Sequence, residues 1–159
     1  MSFSVMLEQL SSGMLKSMGI FFWTVALSLP LGLFVSFGRM SKNPVIKNIV
    51  KFYISVMRGT PLMLQLMVVY YGPYYLIGMN IKSFRIPAII IGFAINYAAY
   101  FAEIFRSGIE SMPVGQYEAA QMLGYSKSQT FIKIIFPQVI KRILPSITNE
   151  VITLVKDTS

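Results

Sequence analysis

The chain contains no cysteine and no histidine, and only 13% of its 159 residues are charged. Without thiols or imidazoles there can be no disulfides, no zinc sites of the usual ligand types and no Ser/His or Cys/His nucleophilic pairs. Acids are the scarcest charge, six Asp and Glu against fourteen Lys and Arg. An intramembrane enzyme built on Glu103 or Asp157 would need paired aspartates, a serine dyad or spaced metal ligands, and none is present. What remains is apolar: 55% hydrophobic residues and a mean hydropathy of +0.62 make a lipid bilayer the solvent. The net charge of +8 would suggest nucleic acid in a soluble protein, so the basic residues must first be placed against the apolar runs.

Three uncharged runs stand out. The first, SMGIFFWTVALSLPLGLFVSFG, fills the 22 residues between Lys16 and Arg39 and has the length of a membrane crossing. It lacks an A-x-A cleavage pattern and is too long for a signal-peptide core. Pro30 and Gly32 inside it predict a bend or a thinned packing face. Ahead of it, Phe3, Met6, Leu7, Leu10 and Met14 fall at helical spacing, so residues 1–16 read as an external, interfacial segment.

The second run occupies the 23 residues between Arg58 and Lys82, opened by Arg58, Gly59, Thr60 and Pro61. Thr60 suits an N-cap and Pro61 the first helical turn. Its far end, YYGPYY at 70–75, carries rings suited to a headgroup boundary or to a binding vestibule, with Gly72 and Pro73 loosening the helix. The third, residues 86–102, is a shorter span of 17 residues. Asn96, Tyr100 and Glu103 stand at i, i+4 and i+7 there, a polar stripe that in lipid must face protein or water.

Ten Lys and Arg lie in the segments on one side of these spans and three on the other. The positive-inside rule then places the N-terminus outside and the segment around residues 111–140 in the cytoplasm. The basic excess is thus chiefly topological, and no nucleic-acid partner is expected. In the cytoplasmic segment, good helix formers from Val114 run up to Gly124, a natural stop. Ser126 and Gln129 then form a capping-box pattern that starts a second helix, with Pro137 and Pro145 interrupting the chain beyond it. Small Ala119 and Ala120 would let another surface approach. From Ile143 onward the chain reads as a fourth, uncomfortable span. Glu150, Thr153 and Asp157 share a face beside Lys156, and each charge costs roughly 2.5–3.5 kcal/mol near a bilayer centre. Such a helix inserts only against protein or a watery cavity.

The punctuated segment carries a resemblance. EAA at 118–120, Gly124 after three further residues and I-x-F-P at 134–137 resemble the EAA loop of membrane permease subunits of bacterial ABC importers, with Phe136 in place of the usual leucine. RGTPL at 58–62, Gln65 and LPSITNEVITLVKDTS at 144–159 are similar to the polar amino acid uptake subfamily. The resemblance runs from about residue 13 to the end.

It implies an all-α membrane protein with about four of the family's five transmembrane helices, and a cytoplasmic helix-turn-helix coupling loop between spans three and four. Residues 1–159 would form one incomplete permease domain, a fragment or truncated product, in a bacterial cytoplasmic membrane. Tyr117, Glu118, Ala119, Ala120 and Gly124 would couple the subunit to a cytoplasmic ABC ATPase, Glu118 holding the loop by polar contacts and the alanines packing in the ATPase groove. The chain has no GxxxxGK[ST], so nucleotide would be handled by that partner, and no cofactor is expected. A second permease subunit and an extracytoplasmic solute-binding protein complete the implied partners. Asn96, Tyr100, Glu150, Thr153 and Asp157 would line the path of an amino acid substrate. A membrane scaffold or sensor subunit recruiting a cytoplasmic partner is the competing reading; it leaves the polar stripes unexplained.

Overall fold

The computed structural model describes residues 3–78 and 81–158, and among them every regular element is helical. The side chains of Phe3 and Lys82 lie outside the described residues. α1 runs unbroken over Phe3–Arg39. The separate interfacial helix expected before the first span is therefore continuous with it, because nothing near residue 16 stops propagation, which is inexpensive once a helix exists. Pro30 is carried inside α1.

α1 makes its most extensive contact with α4 (Ile81–Glu110), and the reason is a run of small residues, one per turn. Thr24, Ser28 and Ser36 are completely buried. Gly32 lies between them, and a Cβ there would come within 2.7 Å of the Phe101 Cβ and 3.1 Å of the Ala98 carbonyl oxygen. On α4, Ala94, Ala98 and Ala102 repeat at the same spacing, 5%, 0% and 0% exposed. Small residues facing each other every fourth position let two backbones close, which is how helices gain dispersion contact where lipid offers no hydrophobic drive. The thinned packing face expected at Gly32 is present.

α2 (Pro44–Gly59) and α3 (Leu62–Ile77) meet at a bend of 111°. The break is made by Pro61. A residue before proline is pushed out of the helical region, and Thr60 adopts φ −118°, ψ 149°. The predicted Thr60 cap is corrected: Pro61 itself holds the cap position of α3 without a side-chain bond, while the Thr60 hydroxyl donates back to the Val56 carbonyl at 2.8 Å. Gly72 and Pro73 do not loosen α3, which continues to Ile77 and closes on Gly78 at φ 65°.

Short α5 (Val114–Met122) precedes a single turn, α6 (Lys127–Gln129), a π-helical segment (Thr130–Ile135) and α7 (Phe136–Thr158). Pro137 and Pro145 were expected to interrupt this stretch, yet α7 runs through both. The widened π turn resolves the first: the Phe136 amide bonds the Phe131 carbonyl, five residues back, so the ring of Pro137 enters where the ladder has been opened. α7 returns along α4, burying Val139, Ile143 and Leu154 against the Phe93, Tyr97, Phe101 and Phe105 cluster.

Among the described residues, α1 and α4 are long and apolar enough to cross a membrane, and the bent α2–α3 pair supplies a third candidate if taken as one broken span. α7 has the length, but its charges exclude it on composition alone.

Candidate functional site

α5 ends by a Schellman closure. The Tyr125 amide donates to the Ala120 carbonyl at 3.1 Å and the Gly124 amide to the Gln121 carbonyl at 3.0 Å, with Gly124 at φ 78°. The chain restarts at once through a complete capping box. Ser126 Oγ accepts from the Gln129 amide at 3.3 Å, and Gln129 Oε1 accepts from the Ser126 amide at 2.9 Å. Both features match the spacing in the sequence.

The faces of α5 divide differently from expectation. Ala120 is 1% exposed and packs inward, so it cannot belong to an outer docking face. Ala119 and Glu118 are exposed. Glu118 makes no hydrogen bond or ion pair among the described residues, which corrects the expectation that it holds the loop. That task falls to a pair the sequence did not single out. Gln116 and Gln138 exchange reciprocal amide bonds of 2.9 and 2.6 Å, clasping α5 to α7. Arg142 adds a 2.9 Å bond to the Ser111 carbonyl. Tyr117 is half-buried against the core, and burial pushes its hydroxyl pKa up.

A cavity of about 490 Å³ opens between α4 and α7 beside the α2–α3 break. Arg58, Tyr100 and Glu150 line it, together with Glu103, Arg106 and Arg142. The Arg58 guanidinium lies 5.2 Å from the centroid of the Tyr100 ring, a cation–π contact that fixes the cation over the cavity. Arg106 is held by Glu103 at 2.7 Å and by Glu110, and Arg39 approaches Glu103 at 3.8 Å. The wall thus presents cations and carboxylates together in a polar space inside an apolar bundle.

The five residues placed on the path by resemblance do not stay together. Tyr100 and Glu150 reach the cavity. Asn96 is 4% exposed, and its amide donates to the Met57 carbonyl at 3.0 Å and to Gln65 Oε1 at 2.8 Å. Gln65 Nε2 in turn reaches the Met57 carbonyl at 3.0 Å and Thr60 Oγ1 at 2.7 Å. Asn96 and Gln65 together therefore satisfy the Met57 and Thr60 carbonyls at the break, and Asn96 ties it to α4, a need that lipid cannot meet. Asp157 accepts a 2.5 Å bond from the Tyr97 hydroxyl. Thr153 is exposed and bonds back to the Asn149 carbonyl. Arg58, taken in the sequence as part of a structural motif with Gly59, belongs to the cavity wall.

Comparison with known proteins joins these features. The model for binding-protein-dependent transport system inner membrane components matches residues 28–159. The chain belongs to this family. In keeping with an inner membrane component, α1 and α4 are long and apolar enough to cross a membrane. It is 41% identical over 133 residues to the arginine transport system permease protein ArtQ of Bacillus subtilis, covering 84% of this chain and 60% of that one. It is equally identical over 133 residues to the L-cystine transport system permease protein TcyL of the same organism, covering 81% and 56%. A Rickettsia bellii protein provisionally named as a glutamine transport system permease is 39% identical over 135 residues, covering 85% and 61%.

The chain thus spans about 61% of the length of that relative. In three dimensions it matches a crystal structure of an amino acid ABC transporter with histidines at a TM-score of 0.82 and 37% identity, over 99% of this chain and 74% of that one. A chain of the MetNI methionine ABC transporter in an inward-facing conformation shares the fold at a TM-score of 0.70 and 19% identity, over 99% of this chain and 74% of that one.

Within this permease family, the sequence signal that could have identified Arg58 as a cavity residue was its place three residues before Pro61, in the last turn of α2. Gln116 and Gln138 carry no such signal, because they stand 22 positions apart and only the return of α7 brings them together.

Proposed function

We propose that the chain is the membrane subunit of an ATP-driven amino acid importer, oriented with its N-terminus outside and residues 111–140 in the cytoplasm. The cavity at Arg58, Tyr100 and Glu150 is the observation that carries this reading. An amino acid is a zwitterion, and a guanidinium fixed over an aromatic ring near a half-buried carboxylate offers a partner for each of its charges. The names of the relatives, which carry arginine, L-cystine and amino acids, support the substrate class.

A separate ATPase docks on the exposed face of α5 at Glu118 and Ala119. Closure of the ATPase dimer displaces α5, the Gln116–Gln138 clasp passes that displacement to α7, and α7 carries Glu150 at the cavity. A second permease subunit completes the path, and an external binding protein delivers the solute.

The test is uptake of labelled amino acids by vesicles containing the intact subunit with its ATPase. Glu150→Gln should reduce uptake at least severalfold at unchanged membrane abundance. Undiminished uptake would refute the cavity as the path.

A further inference from the structure

A second cavity, of about 580 Å³, shares only Arg106 with the first. Its wall is formed by Arg39 at the end of α1 and by Lys47, Asn48 and Lys51 on α2, with Glu110 as its acid. Arg106 is engaged by Glu103 and Glu110, and Arg39 lies near Glu103. Lys47 and Lys51, one turn apart and exposed, have no carboxylate within ion-pairing distance among the described residues. The cavity wall therefore carries a surplus of positive charge.

The remainder of α2 sets the depth at which this space lies. Val45, Ile49, Phe52 and Val56 recur at i, i+4, i+7 and i+11 and are 63%, 63%, 72% and 37% exposed. Lys47 and Lys51 stand on the opposite side of the helix, and Ile54 with Val50 and Tyr53 packs inward between them. A helix with one outward apolar stripe and one cationic stripe, anchored to a bundle by a third face, lies along the boundary between hydrocarbon and headgroups. The abundant anion at that depth is the phosphodiester of an acidic phospholipid, whose acyl chains would run beside the apolar stripe.

We propose that this cavity binds the headgroup of an anionic phospholipid, with Lys47 and Lys51 on its phosphodiester. An acidic protein surface fits the charge equally well, but a soluble partner on the lysine face would leave the exposed apolar stripe of Ile49 and Phe52 without an apolar neighbour.

The intact subunit, assembled with its partners, is equilibrated in detergent with phosphatidylglycerol or phosphatidylcholine, and retained lipid is counted by native mass spectrometry. The unsubstituted protein should retain phosphatidylglycerol preferentially. The double variant Lys47→Gln with Lys51→Gln should lose that preference by roughly 25-fold, about fivefold for each lysine near the surface. Lys47→Arg with Lys51→Arg should keep it, which separates charge from folding. Equal retention by the glutamine variant and the unsubstituted protein would overturn the proposal. Displacement of the lipid by millimolar inorganic phosphate would assign the cavity to a soluble anion instead. Loss of the ATPase subunit from the glutamine variant, with lipid retention unchanged, would assign it to a protein partner.

Discussion

Replacing Gly124 by valine isolates one backbone angle. Gly124 sits at φ 78°, and no atom lies within 4 Å of where its Cβ would be. The penalty is therefore conformational, not steric crowding by neighbours. An L-residue in the left-handed region costs about 1–2 kcal/mol, with a β-branched side chain at the upper end. About 2 kcal/mol is roughly a thirtyfold shift in a local equilibrium. What it opposes is the Schellman closure, the two amide bonds that set the angle between α5 and the capping-box turn.

On the coupling proposed above, a weakened closure lets α5 shift without moving α7 through Gln116 and Gln138. In vesicles containing the subunit and its ATPase, Gly124→Val should leave ATP hydrolysis running while uptake per ATP falls severalfold. Gly124→Asn, which tolerates the left-handed region, should retain most of the coupling. If valine and asparagine both match glycine in uptake per ATP, the closure does not set the coupling geometry and the reasoning fails.

Three further outcomes rest on contacts in the bundle. Asn96→Leu leaves Gln65 Oε1 without its donor and the Met57 carbonyl with Gln65 Nε2 alone, and should cost about 1–3 kcal/mol, read as a lowered unfolding temperature in detergent. Gly32→Val forces a methyl-bearing carbon into the space of the Phe101 Cβ and should destabilise by about 1–3 kcal/mol, measured by loss of monodisperse protein on heating. Asp157→Asn should weaken transport without reducing the membrane-inserted amount; if its role is to hold the Tyr97 hydroxyl, Tyr97→Phe reproduces the defect in the same uptake assay.

Local chemistry was readable wherever neighbours in the chain decide the outcome. The stop at Gly124, the Ser126–Gln129 box and the thin face at Gly32 depend on residues within a turn or two of each other, and each was legible. Helix continuity was harder. Pro137 reads as a break by itself, but six residues of π-helix before it open the ladder, and that adjustment is not written in any one residue. Thr60 failed as a cap for a simpler reason: Pro61 keeps a non-helical ψ of 132°, so α3 starts one residue later, at Leu62, and the Thr60 hydroxyl turns back to the Val56 carbonyl.

The site divides along the same line. A polar side chain in an apolar helix announces that it must have a partner, but not which one. Asn96, Tyr100, Glu150 and Asp157 all carried that announcement; Asn96 directs its donors to the α2–α3 break, Asp157 takes the Tyr97 hydroxyl, and only Tyr100 and Glu150 reach the cavity.

Composition, apolar run length and the spacing of capping residues by themselves determined a helical membrane chain with a punctuated turn at Gly124, because these are properties of segments shorter than a helix and of their cost in lipid. Which polar groups satisfy each other, which face of α5 remains open and where the cavities lie were decided only when α4 had taken α1, α3 and α7 against it. Hydrogen bonds and ion pairs fall off within a few ångströms, so their assignment waits on the approach of residues that are tens of positions apart in the chain.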